Sequence, residues 1–241
     1  SGAALELQGA RTIGAEALTL NGTGISNGGA LRNIDSNSSW AGAITLGSAS
    51  RINSDANTLT LSGGITGAYS LTFGGAGHVK VSSVIGTGTG TLTKDGTGTL
   101  TLSAANTYTG LTTISAGSLA YGVSNAINTG GITINGSNAN LNMGIYSDSV
   151  GAVTLTAGSI TGSGTLTSTA GFTMNNTSNT SVSAILAGAV GLTKTGTGTL
   201  TMSGANTYTG TTTISAGTLA YGAHNVISNS SNVTISGGTL N

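Results

Sequence analysis

The sequence predicts an all-β fold, a parallel β-helix of roughly ten coils, on three observations. A short apolar-Thr-apolar unit recurs along the whole chain, and clusters of Gly, Asn, Ser and Asp separate the units. A long stretch, Leu92 to Gly122, also returns at Leu192 to Gly222 with only five substitutions. Long internal repeats mark chains built from stacked units, none of which can bury its apolar face alone.

The units run in order as Leu18-Thr19-Leu20, Ile44-Thr45-Leu46, Leu59-Thr60-Leu61, Leu71-Thr72-Phe73 and Leu100-Thr101-Leu102. They continue as Ile132-Thr133-Ile134, Val153-Thr154-Leu155, Phe172-Thr173-Met174, Leu200-Thr201-Met202 and Val233-Thr234-Ile235. Alternation with period two sends both apolar residues to one side of a strand and the Thr to the other. Asn21-Gly22, Asn27-Gly28-Gly29, Gly63-Gly64, Gly74-Gly75, Asp95-Gly96, Asn135-Gly136 and Gly237-Gly238 read as turns, because these residues tolerate positive φ. Helix signals are nearly absent.

A β-sandwich is the alternative for many short strands, but it usually fills its core with aromatic rings. This chain has one Trp and two Phe among its 241 residues. It has no Pro, which suits continuous ladders that use every backbone N–H. Its aliphatic residues suit a narrow core of stacked rows. Coils of roughly 20 to 25 residues are expected, forming one solenoid over 1–241 on the order of 50 Å long.

Within the first repeat, Leu92, Leu100, Leu102, Ile114, Leu119 and Tyr121 are the expected inward ladder residues. Thr93, Thr99, Thr101, Thr113 and Ala120 are expected to face outward. Leu192, Leu200, Met202, Ile214, Leu219 and Tyr221 repeat the inward set, with Leu to Met conserving volume. Asn106 with Gly110, and Asn206 with Gly210, are expected at turns, with Tyr108 and Tyr208 half-buried at the same corner.

GTGTLTLSAANTYTGLTTISAGSLAYG and GTGTLTMSGANTYTGTTTISAGTLAYG resemble the passenger-associated transport repeat, or autotransporter-associated β-strand repeat, of bacterial type V secretion passengers. The resemblance covers about 84–122 and 184–222. It implies a right-handed parallel β-helix carried to the cell surface or medium through an outer-membrane barrel, with the repeat assisting transport. The chain would then be a segment of a longer passenger. The lack of Cys is compatible, since a disulfide formed early would obstruct passage of an unfolded chain.

The residues offer little for catalysis. The six acids are dispersed, whereas polysaccharide-cleaving enzymes need converging carboxylates. Asp95 reads as a turn residue before Gly96, and its counterpart is Thr195. His78 and His224 are distant in sequence and read as surface residues, with no metal site expected. Gly74 to Val79 looks like half of a Ca²⁺-binding nonapeptide, but Val79 stands where the ligand Asp belongs. No catalytic residue, cofactor or metal is expected. Zero net charge with scattered basic residues argues against nucleic acid, and no apolar run is long enough for membrane insertion. Trp40 reads as a cover over the side or first coils, with sugar stacking as a weaker alternative.

What remains is surface. The expected role is a non-enzymatic stalk or adhesin segment, extracellular or at the bacterial cell surface, meeting host or bacterial glycans or proteins. Self-association, end to end as an extracellular fibre or side by side, is the second reading, because terminal coils leave strand edges unpaired. A carbohydrate-active enzyme is the third. Rows of Thr can also match ice, but the irregular sequence spacing of the apolar-Thr-apolar units argues against a regular face.

Overall fold

The computed structural model describes residues 2–228 and 231–241 and is a β-solenoid of about ten coils. Among the described residues every strand pair is parallel, and the strands fall into sheets of 15, 12 and 3 members. Helix among the described residues is confined to a single 3₁₀ turn, Ile25–Asn27. Short strands and tight bends form because β-branched Thr, Val and Ile suit the pleat, while Gly and Asn fill the corners.

The main ladder of the 15-stranded sheet, which we call face one, stacks Leu31–Asn33, the second half of Ile44–Ser54, Leu71–Gly74, Leu92–Lys94, Thr112–Ile114 and Ile132–Ile134. It continues through Val153–Leu155, Phe172–Met174, Leu192–Lys194, Thr212–Ile214 and Val233–Ile235. Face two, the 12-stranded sheet, includes Thr58–Leu61, His78–Val81, Thr99–Leu102, Ser118–Tyr121 and Thr199–Met202. The third side carries short strands at Leu18–Gly22, Ile65–Thr66 and Ile85–Gly86, then Asp148–Val150, Thr165–Ser168 and Ile185–Ala187.

The register sets the coil length: Leu71 pairs with Leu92, Leu92 with Thr112 and Thr112 with Ile132. All ten apolar-Thr-apolar units lie in strands, but different units belong to different sides. Their uneven spacing in sequence is therefore compatible with a regular stack. The core is one continuous, mostly apolar column, with Ile52, Phe73, Ile114, Ile134, Leu155, Met174 and Ile214 in a single face-one row that Lys94 and Lys194 share. Trp40 is 6% exposed and packs in this core, so it is neither an outer cover nor a sugar-stacking surface. Among the described residues no helix is long and apolar enough to cross a membrane.

Candidate functional site: a polar core in each repeat

The repeated stretch folds as two coils whose strands lie on faces one and two. Leu92, Leu100, Leu102, Ile114, Leu119 and Tyr121 all point into the buried column, as do Leu192, Leu200, Met202, Ile214 and Leu219. Tyr221 departs from the inward expectation, because it is 47% exposed where Tyr121 is 5%. It keeps the register, opposite Met202. The next strand on it, Thr239–Leu240, is only two residues long and pairs with Thr218 and Leu219, leaving the tyrosine ring uncovered. An inward direction becomes burial only when a further coil covers it.

Between the strands of faces one and two, each repeat places polar groups inside. On face one, alternation carries Lys94 inward beside Leu92, in the row between Phe73 and Ile114. Its ammonium reaches the carbonyl oxygens of Gly96 and, at 3.3 Å, Ala116, joining one corner to the corner above. Lys194 does the same with Gly196 and, at 3.5 Å, Ala216. Both lysines are buried. Burial disfavours the charged form, so the Lys94 amine is pulled down to about 8, with Asp95 opposing the shift and Arg51 adding to it. Desolvation lowers Lys194 as well.

On the third side each repeat lacks a strand, and an asparagine takes over its bonding. Asn106 Oδ1 accepts from the Ile85 amide at 2.8 Å in the coil below, and Nδ2 donates to the Ala126 carbonyl at 2.6 Å in the coil above. Asn206 joins Leu186 N, at 2.7 Å, to Val226 O, at 2.5 Å, in the same way. Both asparagines are buried. They tie three coils together rather than capping their own turn as expected. A side-chain amide can replace a ladder rung because it carries both a donor and an acceptor.

Tyr108 and Tyr208 are fully buried, not half-buried as expected. Their hydroxyls meet Thr112 Oγ1 at 2.9 Å and Thr212 Oγ1 at 2.7 Å, and burial pushes both phenols up. The Tyr208 ring also packs against Phe172, with centroids 6.1 Å apart. Gly110 and Gly210 sit at bends where coils nearly touch. A Cβ on Gly110 would lie 2.2 Å from the Gly90 oxygen, and one on Gly210 would lie 2.4 Å from the Gly191 nitrogen. Close approach, rather than positive φ, demands glycine at these positions.

The lysines, the Tyr–Thr pairs and the bridging role of asparagine are absent from the expectations drawn from sequence. Lys94 lies two residues after inward Leu92, so alternation alone was sufficient to place it. Asp95 precedes a bend, as expected, but also receives both Arg51 guanidinium nitrogens at 2.7 and 2.8 Å across 44 residues. Asp148 is buried next to the first repeat, accepting from Ile127 N at 2.9 Å and Ser149 N at 2.7 Å, and desolvation raises its carboxyl. His78 is exposed and accepts from Thr99 N through Nδ1 at 3.0 Å. Among the described residues no cluster of three or more His, Cys, Asp or Glu could hold a metal.

This two-coil pattern, Lys, then Asn-x-Tyr, then Gly and Thr, coincides with a known repeat. The family described as passenger-associated-transport-repeat matches residues 92–120 and 192–220. The chain carries two such transport repeats. Each match begins at the first inward leucine and ends one residue short of Tyr121 or Tyr221, so the repeat contains the full set of buried polar groups. The transport repeats and the β-solenoid together fit a segment of an autotransporter passenger. Comparison with curated proteins finds no match, and comparison with solved structures finds none.

Proposed function

We propose that this chain is a non-enzymatic stalk and adhesive segment of an autotransporter passenger, displayed on the bacterial surface or released from it. The observation that carries this reading is the pair of transport repeats, each building the same Lys–Asn–Tyr–Thr core into a parallel solenoid. Parallel coils stack without a hinge, so the rod holds whatever it bears at a distance from its anchor. Buried polar groups add specificity, since a coil slipped by one step would leave an amide or ammonium unpaired in the core. That supports a chain which emerges unfolded and must choose its register unaided.

Self-association is the second reading. Val233 and Ile235, in the same two inward rows as Thr212 and Ile214, are 40% and 52% exposed. Either a further coil or a second copy would cover them. The test for display is to place the chain between an export signal and an outer-membrane translocator barrel, with an epitope at its amino end. Epitope exposure on intact cells, with a protease-resistant rod, is the expected result; periplasmic degradation would refute the passenger reading. Sedimentation of the purified chain across concentrations then separates single rods from end-to-end fibres.

A further inference from the structure

From Thr72 upward the outward row of face one is an unbroken rank of threonine, and Arg51 lies beneath Thr72 in the same row. Thr72, Thr93, Thr113, Thr133, Thr154, Thr173, Thr193, Thr213 and Thr234 are each paired in register with the next. Just past the end of each strand, a second rank of Ser115, Asn135, Thr156, Asn175, Thr195, Ser215 and Ser236 continues the ladder, with Asn175 burying its Oδ1 and Ser236 bonded to Ser215 at 3.4 Å. The amide of each donates to the coil beneath it, at 2.8 to 3.1 Å. This second rank carries no charge above Asp95, whose carboxylate is held by Arg51.

None of the nine hydroxyls in the first rank has a hydrogen-bond partner within the protein among the described residues. The contrast with face two is internal to the molecule. There the outward row reads Ser39, Thr60, Lys80, Thr101, Ala120, Asn142 and Thr161, so an ammonium, a methyl and an amide break the pattern.

We propose that face one is a binding surface for crystalline water. Rungs repeat every ~4.8 Å along the axis, and an extended backbone would set the two ranks about 6.6–7 Å apart. These spacings come close to the oxygen repeats on a prism plane of hexagonal ice. Each rung of the threonine rank offers a hydroxyl and a methyl on a β-branched side chain stiff at χ1, held by a rigid sheet. A single rung binds water no better than solvent does. Many rungs fixed in one lattice bind together without further ordering cost, and the gain is multiplicative. Charged groups, which hold their own hydration shells, are absent from the part of the lattice above Asp95. A polysaccharide chain is the other ligand with such a repeat, but the two ranks contain no aromatic ring on which a sugar could stack.

The experiment freezes a dilute solution of the purified chain slowly around a cold finger and measures the protein taken into polycrystalline ice, beside crystal shape in a supercooled droplet. Thr133→Tyr and Thr173→Tyr place wedges on face one; Thr101→Tyr and Asn142→Tyr do so on face two. Melting temperatures establish that each variant is folded, and the milder Thr154→Ser removes one methyl if a wedge prevents folding. Incorporation into ice is expected for the parent and for the face-two variants, with a loss of about tenfold for the face-one wedges and a smaller loss for Thr154→Ser. Exclusion of the parent from ice, or equal losses on both faces, would overturn the proposal. Retention on insoluble cellulose or chitin without uptake into ice would also overturn it and assign the face to glycans.

Discussion

The two transport repeats differ at only five positions between Leu92–Gly122 and Leu192–Gly222, yet they do not share surroundings. Tyr121 lies beneath a further coil, close to the buried Asp148, whereas Tyr221 in the second copy is 47% exposed. Lys94 sits near Asp95 and Arg51; Lys194 has Thr195 in place of the aspartate. Nearly identical coils thus acquire different burial and different electrostatics. A coil's sequence determines where its side chains point, and its neighbours determine what that direction is worth.

The largest expected difference is at the tyrosines. Tyr121→Ala should cost about 3–5 kcal/mol, in the range of emptied aromatic sites, while Tyr221→Ala should cost less than about 1 kcal/mol. Urea unfolding of the two variants measures both, and equal losses would mean that the second ring is covered in solution. Next come the asparagines. Asn106→Ala and Asn206→Ala each orphan an amide and a carbonyl inside the stack, so each should lose about 2–4 kcal/mol. Hydrogen exchange at Ile85 and Leu186 should rise in the respective variant. Protection unchanged at Ile85 in Asn106→Ala would break the view that the amide replaces a strand rung.

The lysines give a pH signature. Lys94 has a folded value of about 8 against 10.5 for an ordinary lysine, so the folded state disfavours its charge. Its stabilising effect is therefore full above about 10.5 and is lost as pH falls through about 8. Between those limits the chain should gain about 1–3 kcal/mol on raising pH, the lower end reflecting carbonyl oxygens that favour the ammonium. Lys94→Met should flatten that rise, as read from urea midpoints at the two pH values. Lys194→Met tests whether a lysine without the Asp95 and Arg51 charges shifts in the same direction. The smallest effect is expected from Leu102→Met or Met202→Leu, below about 1.5 kcal/mol in either copy, because volume is conserved.

Much of this was legible beforehand. Period-two alternation placed the leucines and isoleucines of both repeats inward, and that depends only on the geometry of a strand. The same rule was sufficient for Lys94 and Lys194, but a lysine reads as solvent-facing unless backbone carbonyls await it inside. Those carbonyls, on Gly96 and Ala116, belong to two different coils. Asn106 reads as a turn former for a similar reason: its partners, Ile85 and Ala126, each lie a full coil away along the chain, one before it and one after. Local propensity contains no information about such bridges.

Strands, corners, inward rows and the repeat can all be read locally, because each follows from residue type and spacing within a few positions. Tertiary structure alone decided which coil lies on which. That stacking buried Tyr121 and left Tyr221 open. It also joined Arg51 to Asp95 and set threonines one coil apart along the chain into one continuous rank. The physical reason is that coil length, not motif spacing, sets which residues become neighbours. Once each turn closes at that length, every outward Thr of face one falls above the last.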